Sequence, residues 1–173
     1  MNIEDFLVAP TEIKPTIKRN KIEHIVHDND DQEWRLNGLL HNSKDEPAII
    51  HANGDKYWYK KGKRHRDNDN PAIVHFNGDL YWYKNDKCTR DGDKPAIMYA
   101  NGDVIWVLND KKHRDNNLPA VILANGVCEW WVDGVHIKSV QCTEEKIAQY
   151  IRPFDKEINE NLDKSMMADF AKQ

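Results

Sequence analysis

Three groupings of residues in this sequence could do chemistry. His65-Arg66-Asp67 and His113-Arg114-Asp115 set an imidazole, a cation and a carboxylate side by side, and Thr89-Arg90-Asp91 repeats the trio without its imidazole. Such a set invites an acid–base reading. Asp67 and Asp69, like Asp91 and Asp93, place carboxylates at alternate positions, the way calcium loops collect ligands for a hard cation. Lys60, Lys61, Lys63, Arg64 and Arg66 form a basic cluster beside Tyr57 and Tyr59. Lys84, Lys87 and Arg90 repeat it beside Tyr81 and Tyr83, followed by Lys111, Lys112 and Arg114. Cations interleaved with aromatics suit either a protein interface or phosphates with stacked bases.

An active site needs one converging set of groups, whereas the His-Arg-Asp trios recur at a structural period. They read better as struts, with Arg66, Arg90 and Arg114 bridging neighbouring units through Asp67, Asp91 and Asp115. The Asp-x-Asp pairs lack the other calcium ligands and read as turn closures. The three serines, Ser43, Ser139 and Ser165, lie in no nucleophile motif. The expectation is a protein that is not an enzyme, with no catalytic residue, no metal site and no cofactor.

What positions these groups is a repeat. Trp34, Trp58, Trp82, Trp106 and Trp130 are each 24 residues apart, without insertion or deletion. The clearest copies read WYKKGKRHRDNDNPAIVHFNGDLY (58–81) and WYKNDKCTRDGDKPAIMYANGDVI (82–105). A fixed period in this range marks stacked units that share one core. Two turns punctuate each unit. The first is Asn-Gly at 53–54, 77–78, 101–102 and 125–126, and the second falls at 37–38, 61–62, 85–86, 109–110 and 133–134. Asn-Gly between β-prone runs marks a hairpin, because a type I′ turn needs positive φ at both central residues. Each unit then reads as a three-stranded meander, for example 72–76, 79–84 and 87–89. Two-residue loops would pair Ile49 with Trp58, and Trp58 with His65. That register puts an Ile–Trp–His row on one face. The tyrosines and Ala48, Ala72, Ala96 and Ala120 fall on the other.

The fold class expected is mainly β: stacked antiparallel hairpin units with a C-terminal α-helical segment. Residues 1–24 form an N-terminal extension, 25–137 the array (a half-repeat and about four units), and 138–173 the helical segment. In the extension, 3–9 could be a short helix or strand before Pro10 and Pro15. In the last segment Thr143 caps a helix with Glu144 and Glu145 in its first turn. Beyond Pro153 and a second cap at Asp155, Ile158, Leu162, Met166 and Phe170 form an apolar stripe. That stripe either closes the array or dimerises it. The net charge of −4 argues against a general nucleic-acid binder. No apolar run approaches a membrane span. Cys88, Cys128 and Cys142 show neither paired nor zinc-binding spacing, which points to a reduced, cytoplasmic setting. Asp30, Asp31, Asp55, Asp79 and Asp103 gather at the first-turn edge and the cations at the second, so the molecule should be electrically two-sided.

GDKYWYKKGKRH (54–65) resembles the MORN repeat, which runs through glycine, spaced aromatics, an Asn-Gly turn, a basic pair and histidine. The resemblance covers about 30–137. It departs where MORN repeats usually continue with Gly-x-Gly, because here the link is Arg-Asp-x-Asp-x-Pro-Ala (66–72, 90–96) and the period is one residue longer. Repeats of this variant are similar to those of uncharacterised phage and large-virus proteins. The resemblance implies binding to proteins or membrane lipids, with no catalytic residues. For a viral protein it implies the host cytoplasm, with a bacterial host or defence protein as the partner inhibited. The binding surface expected is Tyr57, Tyr59, Tyr81, Tyr83, Lys61, Arg64 and Lys87. The alternative is a binder that sequesters nucleotides or nucleic acid on the same strip.

Overall fold

The computed structural model describes residues 21–151, so residues 3–9, Pro10, Pro15 and the stripe Ile158, Leu162, Met166 and Phe170 lie outside the described residues. Twelve strands form one antiparallel sheet that runs the length of the array. It begins with Ile22–Val26 and Gln32–Leu36 and then takes two short strands per unit, such as Ile49–Ile50 with Lys56–Tyr57 and Ile73–Val74 with Leu80–Tyr81. It ends in the long hairpin Val127–Val132 and Val135–Gln141. The sheet thus opens at Ile22, three residues before the repeat phase, and runs past 137 to Gln141. A single helix, Glu144–Ile151, follows among the described residues, and none there is long and apolar enough to cross a membrane.

The units are not flat meanders. In the three interior units the central strand breaks at its tryptophan: Leu80–Tyr81 belongs to the long sheet, but Tyr83–Lys84 pairs with Lys87–Cys88 in a separate two-stranded sheet. Tyr59–Lys60 with Lys63–Arg64, and Val107–Leu108 with Lys111–Lys112, repeat the arrangement. At the break the Trp58, Trp82 and Trp106 amides donate to the carbonyls of Ala72, Ala96 and Ala120 in the next unit. Each chain therefore steps out of the long sheet into its own hairpin without losing its backbone bond.

The second turn has the expected geometry. Asn85 and Asp86 both take positive φ (51° and 69°), and Tyr83 faces Cys88 as a two-residue loop requires. The first turn does not. In 51–55 only Gly54 has positive φ (94°), and the amides of Gly54 and His51 bond to His51 O and Asp55 O. This is a three-residue loop with a glycine bulge. The extra loop residue shifts the register by one, so Ile49 faces Tyr57 rather than Trp58. A shift of one moves every side chain to the other face. The isoleucines therefore row with the tyrosines, and the alanines lie beside the tryptophans. Ala48, Ala72, Ala96 and Ala120 are fully buried, and Trp58, Trp82, Trp106 and Trp130 are buried between them. A methyl is what leaves room for the indoles. Leu80, Met98, Val104, Ile105, Val121, Ile122 and Cys128 complete this core.

A third turn lies in each link, Arg-Asp-x-Asp-x-Pro-Ala at 66–72 and 90–96 and its variants at 42–48 and 114–120. Its paired positive-φ residues are Lys44-Asp45, Asn68-Asp69, Gly92-Asp93 and Asn116-Asn117. The carbonyl of the second residue accepts the indole N–H of the tryptophan 13 residues on: Asp45 from Trp58, Asp69 from Trp82, Asp93 from Trp106 and Asn117 from Trp130, at 2.8–2.9 Å. Gly92, the one glycine outside the two expected turn slots, falls here.

Candidate binding surface

In the His-Arg-Asp trios the arginine parts from the other two, while His65 stays paired with Asp67 and His113 with Asp115. Arg90 turns inward: its Nε and Nη2 donate to the two carboxylate oxygens of Asp69 at 2.9 Å, and its guanidinium lies 4.0 Å over the Trp82 ring. Arg66 does the same to Asp45 and Trp58, and Arg114 to Asp93 and Trp106. The bridges between units therefore run to the second aspartate of the preceding link, 21 residues back, and not through Asp67, Asp91 and Asp115. Those aspartates take other partners. Asp67 accepts from Lys60 Nζ and pairs with His65 Nε2, both at 2.8 Å, Asp91 pairs with Lys84, and Asp115 with His113. Each Asp-x-Asp thus splits between two different partners. Among the described residues no group of three or more His, Cys, Asp or Glu is placed to hold a metal ion.

The acidic first-turn edge is likewise committed to structure. Asp31, Asp55, Asp79 and Asp103 each accept the amide of the next unit's loop: Ala52, Phe76, Ala100 and Ala124, at 2.7–2.8 Å. That amide and the His51 imidazole hold the Asp31 carboxyl down at about 2. Burial pushes Asp55 up, but the Phe76 amide and His75 more than offset it and leave the carboxyl lowered. The thiols of Cys88 and Cys128 are buried, which pushes both up to about 12 and leaves them unreactive.

The tyrosines stay half-exposed. Tyr57 and Tyr81 stand on the long sheet in an edge-to-face ladder that runs His51–Tyr57–His75–Tyr81–Tyr99, with ring centroids 5.2–5.9 Å apart. The sequence reading missed the histidines and Tyr99, although positions 51, 75 and 99 share the 24-residue period. Tyr59 and Tyr83 stand on the small hairpins, and Arg64 lies 4.6 Å over the Tyr83 ring. Two units on, Lys112 lies 4.4 Å over Trp131 in the same arrangement. Burial raises the phenols of Tyr57, Tyr59, Tyr81 and Tyr83, so all four are protonated donors at neutral pH. Lys61 and Lys87 project from the turn tips, exposed. Among the described residues no carboxylate forms an ion pair with Lys61, Arg64 or Lys87, in contrast to Lys60 and Lys84 beside them. Tyr59 and Arg64 face each other across one hairpin and Arg64 reaches Tyr83 of the next, whereas Lys87 pairs with Lys84 and lies on the face of its hairpin opposite Tyr83.

No protein-family model matches the sequence, and comparison with curated proteins gives no match.

Proposed function

We propose that this chain is a MORN-like, non-enzymatic protein-binding array whose contact surface is the tyrosine ladder with its unpaired cations. The observation that carries the reading is a contrast in use. The groups that could do chemistry are tied into the frame by Trp–Arg–Asp struts and aspartate-to-amide bonds. Tyr57, Tyr59, Tyr81, Tyr83, Lys61, Arg64 and Lys87 are half-exposed or exposed, and the charged groups of the three cations are in no ion pair among the described residues. Aromatics and arginine are the side chains that most often anchor protein interfaces. The resemblance to phage repeat proteins makes a bacterial host protein the partner to seek, with inhibition as the outcome.

The test is capture from bacterial lysate on the full chain at low and moderate salt, run beside Tyr59→Ala/Tyr83→Ala. A stoichiometric protein held at moderate salt and lost from the variant is the expected result. Recovery of nucleic acid alone, released steeply as salt rises, would move the function to the cations.

A further inference from the structure

The spacing of the tyrosine ladder selects one class of ligand conformation, and the inference that follows rests on the protein-binding reading above. Tyr57 and Tyr81 occupy strands separated by one other, Ile73–Val74. Neighbouring strands lie about 4.8 Å apart, so these two tyrosines stand about 9.6 Å apart, and the equivalent positions in the flanking units are Glu33 and Ile105. A polyproline II helix has three residues per turn and rises about 3.1 Å per residue, so it returns the same face about every 9.3 Å. The mismatch is about 0.3 Å per unit. An extended β ligand returns its face about every 6.7 Å. An α-helix does so about every 5.4 Å, or about 10.8 Å for two turns. Over that one interval two α-helical turns miss by about 1.2 Å and a β ligand by about 2.9 Å.

The chemistry agrees with the spacing. A polyproline II backbone has no internal hydrogen bonds, so its carbonyls need external donors, and aromatic-lined grooves recognise it. Tyr57, Tyr59 and Tyr83 offer half-buried, protonated phenols on two adjacent units. Arg64 stacks on Tyr83, and neither its guanidinium nor the Lys61 ammonium is in an ion pair among the described residues, although the Asp86 carboxylate accepts the Arg64 amide at 2.8 Å. We propose that the tyrosine ladder docks an acidic, proline-rich segment of a partner protein as a polyproline II helix lying along the array. Prolines would fall three positions apart against the two tyrosine pairs, with glutamate or aspartate flanking them toward Arg64 and Lys61.

The experiment is selection of a random dodecapeptide library on the full chain, with each selected peptide then re-tested as a fluorescein conjugate. It is run against the parent, Tyr59→Ala/Tyr83→Ala and the conservative Tyr59→Phe/Tyr83→Phe, with circular dichroism showing that both variants keep the parent fold. The expected result is enrichment of prolines three positions apart with acidic flanks. Such peptides should weaken at least about tenfold on the alanine variant, and by about as much when their acidic residues become lysine. Selected peptides without that phase, but still lost on the alanine variant, would overturn the polyproline inference and leave the tyrosine surface standing. Peptides that bind the alanine variant undiminished, or a labelled twelve-residue oligothymidine that outcompetes every peptide, would overturn both.

Discussion

Arg90 gathers several interactions at one buried side chain. Its side chain is 1% exposed, it bonds both oxygens of Asp69 and the carbonyl of Pro95, and it covers one face of Trp82. Removing one partner of a buried ion pair strands the other, and a desolvated cation–π contact is lost with it. Asp69 is half-exposed and keeps Lys94, which softens the loss. Arg90→Ala should therefore lower stability by about 2–4 kcal/mol in urea titration. Asp91→Ala, which breaks only a surface pair with Lys84, should cost under about 1 kcal/mol. A double-mutant cycle should couple Arg90 to Asp69 and leave Arg90 and Asp91 additive. Equal losses from Arg90→Ala and Asp91→Ala would refute the strut described here.

At the scale of the element, the first-turn loops are joined by aspartates rather than by strand pairing alone. The carboxyls of Asp31 and Asp55 titrate lower in the folded chain than in the unfolded one, where an aspartate sits near about 3.9. Between the two values the unfolded state binds more protons, so stability rises with pH there. The contribution is whole above about pH 4 and drains away as pH falls toward about 2. Asp31→Asn should flatten that acid limb in urea midpoints measured from pH 5 to pH 2, and an unchanged limb would mean that the staple contributes nothing. These turns also show what the sequence could and could not reveal. The 24-residue period, the type I′ turns and the Thr143 cap, whose Oγ1 accepts the Lys146 amide, follow from local residue types. The face of each strand does not. Asn-Gly is compatible with both a two-residue and a three-residue loop, and the choice between them decides whether Ile49 or Ala48 shares a face with Trp58. The Arg90–Asp69 bond spans 21 residues, nearly one full unit. A local reading pairs Arg90 with its neighbour Asp91, because only the stacking of units brings Asp69 closer.

For the whole molecule, the same rule explains why the two ends depart from the repeat. A strut needs an arginine, the ring of its own unit and the aspartate of the preceding link. In the first unit the position 21 residues before Asn42 is Lys21, which could not hold a guanidinium. Asn42 instead donates to Pro47 O, and Trp34 is covered by His24, stacked at 4.4 Å. In the last unit the link carries Asn117, and the arginine position is Lys138, which lies 4.4 Å over Trp130. The helix closes this end, with Tyr150 edge-on to Trp130 and its carbonyl accepting from Arg114. Interior units make contacts only with their neighbours, so stability should be roughly a sum of unit and interface contributions. Deleting residues 59–82 joins Trp58 to Tyr83 in the phase that Trp82 now holds, and brings Arg90 against Asp45 in place of Asp69. The shortened chain should keep the far-ultraviolet spectrum of the parent. It should unfold at lower urea with a smaller m-value, and by small-angle scattering it should lose about 9–10 Å of length, two strand spacings. It should also lose the phased peptide, because one of the two complete tyrosine pairs has gone. A shortened chain that fails to fold would show that the units are not equivalent, and that some contact beyond the nearest neighbour holds the array together.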